Sequence, residues 1–280
     1  MTRKSDNINS IILSILFSLF ISSGSLEAST YKVVPVTNGG TIKGKVTFMG
    51  KPPAPEKISI TKNREFCGEG YREVTWVRVN NGGLTEAIVY LDDIEEGKDW
   101  PSLKGEVAHL DDPDGKDVDL IYEGKYLIDQ KDCRFHPWIR VYRNGADIVV
   151  RNSDPIAHNI HFRELVGKVK KTIFNVSQKN KGDIYKKVRA KRSKFLRVNC
   201  EPHNFMFSWG LAADNPYAVV VNSDGTYEIS DIPAGTYKLI VWHPILGVKE
   251  VIAEVAAGSS ILKDFQYSEQ KIYKRSIIEY

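Results

Sequence analysis

Cys200-Glu201-Pro202-His203-Asn204-Phe205-Met206 is the stretch on which the reading of this chain turns. It sets a thiol, an imidazole and a thioether at even spacing, Cys-x2-His-x2-Met, on one short loop. Upstream, Asn152-Ser153-Asp154-Pro155-Ile156-Ala157-His158-Asn159 supplies a second imidazole. Soft sulfur and imidazole nitrogen together favour a transition metal over hard, oxygen-seeking cations. Each residue also has a plainer reading. A lone His in a strand is commonly a satisfied structural residue, and a lone Cys a small buried hydrophobe. The shared spacing is what favours reading the donors jointly.

Two His, one Cys and a weak axial Met make the ligand set of a blue-copper electron-transfer centre. The residues around both ends resemble the cupredoxin family, in its amicyanin-like branch. There the first ligand is a His followed by Asn, after an Asn-x-Asp-like turn, which here is Asn152-Ser153-Asp154 and then His158-Asn159. The other ligands lie on a loop Cys-x-Pro-His-x-Phe-Met, matched at every fixed position by residues 200–206. Plastocyanin-like members have a longer gap between the second His and the Met. The resemblance spans residues 74–212 and implies a Greek-key β-sandwich. It also implies one type 1 copper ion held by His158, Cys200, His203 and Met206. Asn159 resembles the residue that ties the first-ligand strand to the Cys loop. His203 is expected at the surface as the electron's exit, with Pro202, Asn204 and Phe205 framing an apolar docking patch. His161 reads as a residue behind the ligands or facing solvent, His243 as structural, and His109 has no ligand-like neighbour; so few histidines supply a multicopper or type 2 copper enzyme poorly.

The flanks resemble a second family. Gly40-Thr41-Ile42-Lys43-Gly44-Lys45-Val46 near the start and residues 224–241 near the end look like two halves of a carboxypeptidase regulatory-like, transthyretin-like β-sandwich. Asp224-Gly225 and Ala234-Gly235 supply turns, while Tyr227, Ile229, Tyr237, Leu239 and Val241 alternate onto one buried face. Residues 38–62 are too short to fold alone. The expected layout is therefore a discontinuous sandwich, 38–62 with 215–267, into which the copper domain of residues 74–212 is inserted. Residues 268–280 form a tail.

The rest of the pattern is β throughout. Val74-Thr75-Trp76-Val77-Arg78-Val79 and Ala87-Ile88-Val89-Tyr90-Leu91 read as strands joined across Asn80-Asn81-Gly82-Gly83. Residues 138–142 and 146–151 read likewise around Arg143-Asn144-Gly145. No stretch keeps a helical apolar period over four turns. At 280 residues, with 42% apolar content, the chain has room for one large domain or two modest ones. A mean hydropathy of −0.30 excludes a polytopic membrane protein.

Arg3 and Lys4, an apolar run from Ile11 to Ile21 and a small-residue zone through Ser29 have the layout of a secretory signal peptide, with residues 1–28 removed. The run is shorter than the about 20 residues a bilayer span needs, so the expectation is periplasmic or extracellular, without stable membrane insertion. With Cys200 given to copper, Cys67 and Cys133 remain as an even pair in an oxidising compartment, where a bridge is expected. The rival is a second metal site using Cys133 and His136.

Residues 168–197 carry twelve Lys and Arg against one acid, Asp183, in a chain whose net charge is +4. The bland reading is a solvated face. The functional one is steering of an acidic redox partner such as a cytochrome or dehydrogenase. Nucleic acid is not an expected partner for an exported chain without a binding motif. The function expected is one-electron carriage, not enzymatic catalysis. The alternative is a non-redox protein that stores copper or mediates interactions through the same fold.

Overall fold

The computed structural model describes residues 31–103 and 121–269. The expected leader, His109 and all but the start of the expected tail lie outside them. Alternation does what it predicts: in Gly40–Met49, Gly40, Ile42, Gly44, Val46 and Phe48 are buried while the residues between them are not. The architecture is all-β. The one helix among the described residues is the single turn Arg64–Cys67, and none of the described residues form a helix long and apolar enough to cross a membrane.

Two sheets hold the middle of the chain. One runs Ile139–Arg143, Phe207–Ala213, Phe195–Asn199, His158–Val166, Val169–Gln178 in spatial order. Its neighbour runs Arg134–His136, Lys125–Lys131, Ala146–Asn152, Gly182–Val188. Arg143-Asn144-Gly145 is not a hairpin. Ile139–Arg143 pairs in parallel with Phe207–Ala213, whereas Ala146–Asn152 pairs with Lys125–Lys131 in the other sheet. The turn is a corner that carries the chain from one sheet to the other, because buried faces on both sides must be covered.

Two more sheets are built by the flanks. Gly40–Met49 pairs with Thr226–Ile232 and with Ser260–Leu262 and Phe265–Ser268. The facing sheet is Ala218–Val220, Ile88–Asp92, Gly235–His243, Gly247–Val255. Tyr267 of the first donates its hydroxyl to the Gly247 carbonyl of the second at 2.8 Å. Two sequence expectations differ here. Residues 74–79 and 87–91 do not pair with one another, since Val79–Asn80 meets only Gly83–Leu84. Ile88–Asp92 hydrogen-bonds to Gly235–His243 in the flank sheet. All four positions from Ile88 to Leu91 are buried, so this strand needs cover on both faces, which a central place in a sheet provides.

The two pairs of sheets share one continuous core. Phe195 stacks on Trp242 at 4.7 Å between centroids, and Lys194 pairs with Asp92. A small hairpin, Glu56–Ser59 with Tyr71–Val74, carries the helical turn Arg64–Cys67 at its end. A disulfide joins Cys67 to Cys133, which removes Cys133 from any second metal site.

Candidate metal centre

Three elements converge. His158 begins the strand His158–Val166 directly after the turn Asn152-Ser153-Asp154. That turn is locked by Asn152, whose Oδ1 accepts the Asp154 N–H at 3.1 Å and whose amide donates to the Ile156 carbonyl at 2.9 Å. Cys200 ends the strand Phe195–Asn199, which pairs with the His158 strand. The loop after it closes on itself: the Met206 N–H donates to the His203 carbonyl, and the Cys200 N–H to the Met206 carbonyl. Asn159 ties strand to loop twice over. Its backbone N–H donates to Cys200 Sγ at 3.3 Å, and its Oδ1 accepts the Glu201 N–H at 3.3 Å.

His158, Cys200 and His203 are all buried, and one donor atom from each lies within 4.8 Å of the other two. The two imidazoles face each other through Nδ1 at 3.1 Å, and Cys200 Sγ lies 3.4 Å from His203 Nδ1. Their far nitrogens are engaged by oxygen. His158 Nε2 stands 2.7 Å from Asp154 Oδ2, and His203 Nε2 stands 2.9 Å from Asn63 Oδ1. Both oxygens accept, so both Nε2 atoms carry the hydrogen. His203, held neutral by burial, therefore presents an Nδ1 lone pair toward His158 Nδ1 and the Cys200 sulfur. Such an arrangement fits a cation. Met206 is fully buried beside them.

Protonation follows from burial. Burial lowers the His203 imidazole to about 4, helped by the nearby His158 and Lys62, so it stays neutral through the physiological range. Burial pushes the Cys200 thiol up to about 11, so without a cation the sulfur keeps its proton. Burial alone would raise the Asp154 carboxyl; the His158 ring and the N–H groups of Cys133 and Asp132 outweigh it and hold the group below its ordinary value. A second grouping, Cys133, Asp154 and His158, also has metal-like spacing. It cannot serve, because Cys133 is in the disulfide and Asp154 already accepts three hydrogen bonds.

The expectation of a surface-exposed His203 is overturned. His203 is wholly buried, and Asn63 and the hairpin that bears it cover its outer edge. Phe205 is buried too, with the Arg72 guanidinium 4.9 Å above its ring. Pro202 is half-buried and only Asn204 is exposed, so no apolar patch surrounds the histidine. His161 lies off the donor cluster and joins Glu201 at 2.6 Å and Thr172 at 2.7 Å. Asp154 stood inside the sequence already singled out, four residues before His158. Asn63 carried no signal, since it reaches His203 across 140 residues.

No family model and no curated protein matches this sequence. Among solved structures, the reduced Cu(I) form at pH 4 of an amicyanin variant is 16% identical, over 32% of this chain and 84% of that one, with a TM-score of 0.28. An oxidised amicyanin variant gives 16% identity, the same coverages and 0.26. A purple cupredoxin from Nitrosopumilus maritimus gives 14% identity, 30% and 96% coverage, and 0.26. These scores lend the site no weight of their own. What stands is an all-β chain with a buried His/Cys/His cluster like the donor set of type 1 copper.

Proposed function

We propose that this chain is an exported blue-copper protein that carries single electrons between redox partners. The observation that supports it most is the pair of buried imidazoles facing each other through Nδ1 at 3.1 Å beside a buried thiol. His158, His203 and the Cys200 thiolate would hold the ion, with Met206 as the weak fourth donor. Bound copper supplies a one-electron couple between Cu(I) and Cu(II).

The chain's own residues do the rest. Asp154 and Asn63 fix which nitrogen of each ring points inward, and partners of this kind make ligand imidazoles better donors. The Asn159 N–H on Cys200 Sγ stabilises a thiolate. Burial of all three donors keeps water out, so the site has little to rearrange when its charge changes. The partner best suited to the basic residues 168–197 is an acidic redox protein.

Absorption and electron paramagnetic resonance spectra of the copper-loaded mature protein test the proposal. An intense visible thiolate-to-copper band and reversible one-electron reduction are expected. Stoichiometric copper without that band would favour the storage alternative, and failure to bind copper would overturn the reading altogether.

A further inference from the structure

The partners of the two histidines come from distant parts of the chain, and one disulfide links them. Asn63 immediately precedes the helical turn Arg64–Cys67, and its carbonyl accepts the N–H groups of Phe66 at 3.0 Å and Cys67 at 2.7 Å. An Asn in this place usually turns its side chain back to cap its own helix. Here it makes no such bond and turns to His203. It does so from a left-handed conformation, φ 50°, ψ 43°, which Asn tolerates better than most residues.

On the other side of the disulfide, the Cys133 N–H donates to Asp154 Oδ2 at 2.9 Å, the same oxygen that holds His158. The neighbouring Asp132 N–H donates to Asp154 Oδ1 at 2.7 Å. Arg72 fastens the two sides together. Its guanidinium donates to the carbonyl of Cys133 at 2.5 Å and to that of Cys67 at 3.3 Å while lying over Phe205 of the ligand loop. A continuous circuit results: His203, Asn63, Cys67, Cys133, Asp154, His158.

We propose that this circuit is a clamp. The Cys67–Cys133 bridge sets the two imidazoles against each other by holding Asn63 and Asp154 at a fixed separation, and the hairpin of residues 56–74 closes the His203 edge to small molecules. Asn63 is the positioning residue of the clamp. A centre closed this way exchanges electrons without admitting an added ligand, unlike a centre that must bind substrate on the metal. The inference rests on the copper reading above, but its first test needs no copper.

Long-range proton–nitrogen NMR of the histidine rings in metal-free protein should show His158 and His203 both as Nε2–H tautomers. Asn63→Gly permits the same left-handed backbone and removes the side chain that reaches His203. In it His203 should lose its single tautomer while His158 keeps its own. Cys67→Ala with Cys133→Ala should loosen both rings. With copper loaded, extraction by a soluble chelator should speed up about 10–100-fold in either variant, and added azide should perturb the spectrum only in the variants. Unchanged tautomers in Asn63→Gly, or extraction within about twofold of wild type, would overturn the clamp. Should the double cysteine variant not fold, Asn63→Gly decides alone. If wild-type protein takes up no copper, the function reading falls while the tautomer result still judges the clamp.

Discussion

Each pair of sheets in this chain buries histidine almost completely, and the contrast between them shows what makes a histidine a ligand. His243, in the flank sheets, is 1% exposed, as is His158 in the middle ones. Burial lowers its imidazole to about 3. Yet its Nδ1 already accepts two backbone hydrogens, from Ile245 at 3.1 Å and Leu246 at 3.3 Å. It pins a turn. At His158 and His203 oxygen acceptors sit on Nε2 instead, which leaves both Nδ1 atoms facing inward. Burial is common to all three, and low basicity to His203 and His243. Whether Nδ1 is already taken by backbone N–H groups or turned toward other donors is what separates a structural residue from a candidate ligand.

The contrast breaks first at the sulfur. Cys200→Ser should abolish the visible charge-transfer band, since a hydroxyl is too hard and too basic to replace thiolate; a full spectrum in that variant would remove the centre as drawn. Next come the histidines, in opposite directions. His203→Ala should cost copper affinity more than the roughly 10–100-fold attached to losing a ligand's hydrogen-bond partner. His243→Ala should leave affinity and spectrum alone and cost about 1–3 kcal/mol of stability, as two buried N–H groups lose their acceptor. Calorimetric copper titrations beside denaturant melts would show whether the two effects separate.

Proton release sharpens the same point. With its pKa raised to about 11, the Cys200 thiol is protonated at neutral pH and must lose its proton to bind. Apparent copper affinity should therefore rise about tenfold per pH unit between pH 6 and 9, while His203, lowered to about 4, adds no slope there. Isothermal titration in buffers of different ionisation enthalpy counts the proton, and a pH-independent affinity would mean that the sulfur does not bind. A smaller change is expected at Met206→Gln, which should retain copper but lower the reduction potential, because an amide oxygen favours Cu(II). Voltammetry showing no shift would place Met206 outside the ligand set.

The smallest effect concerns the basic residues. Lys170, Lys171, Lys186 and Lys187 lie on Val169–Gln178 and Gly182–Val188, each the outermost strand of its sheet, where Lys blunts unwanted pairing. That gives the bland reading a physical purpose. Steering predicts that reversing Lys186, Lys187, Lys191 and Arg192 to Glu slows electron transfer with an acidic partner. It also predicts a steep fall in the wild-type rate as the Debye length shrinks from about 30 Å at 0.01 M salt to about 10 Å at 0.1 M. Stopped-flow rates indifferent to both would leave only edge protection.

What this sequence determined by itself is local. Alternating β-branched and aromatic residues, Gly-rich turns and the spacing from Cys200 to Met206 made the fold class and three neighbouring candidate donors legible, because period-two burial and loop spacing are properties of adjacent residues. The even pair of cysteines was readable for the same kind of reason, by counting. Tertiary structure alone decided which strands meet. Arg143-Asn144-Gly145 looks the same whether it closes a hairpin or turns a corner between sheets, and Ile88–Asp92 is too uniformly apolar to declare a partner. It alone decided, too, that His203 is covered. Nothing near Asn63 announces a hydrogen bond made 140 residues away, since that contact exists only once two sheets have packed and a disulfide has drawn the hairpin over the loop.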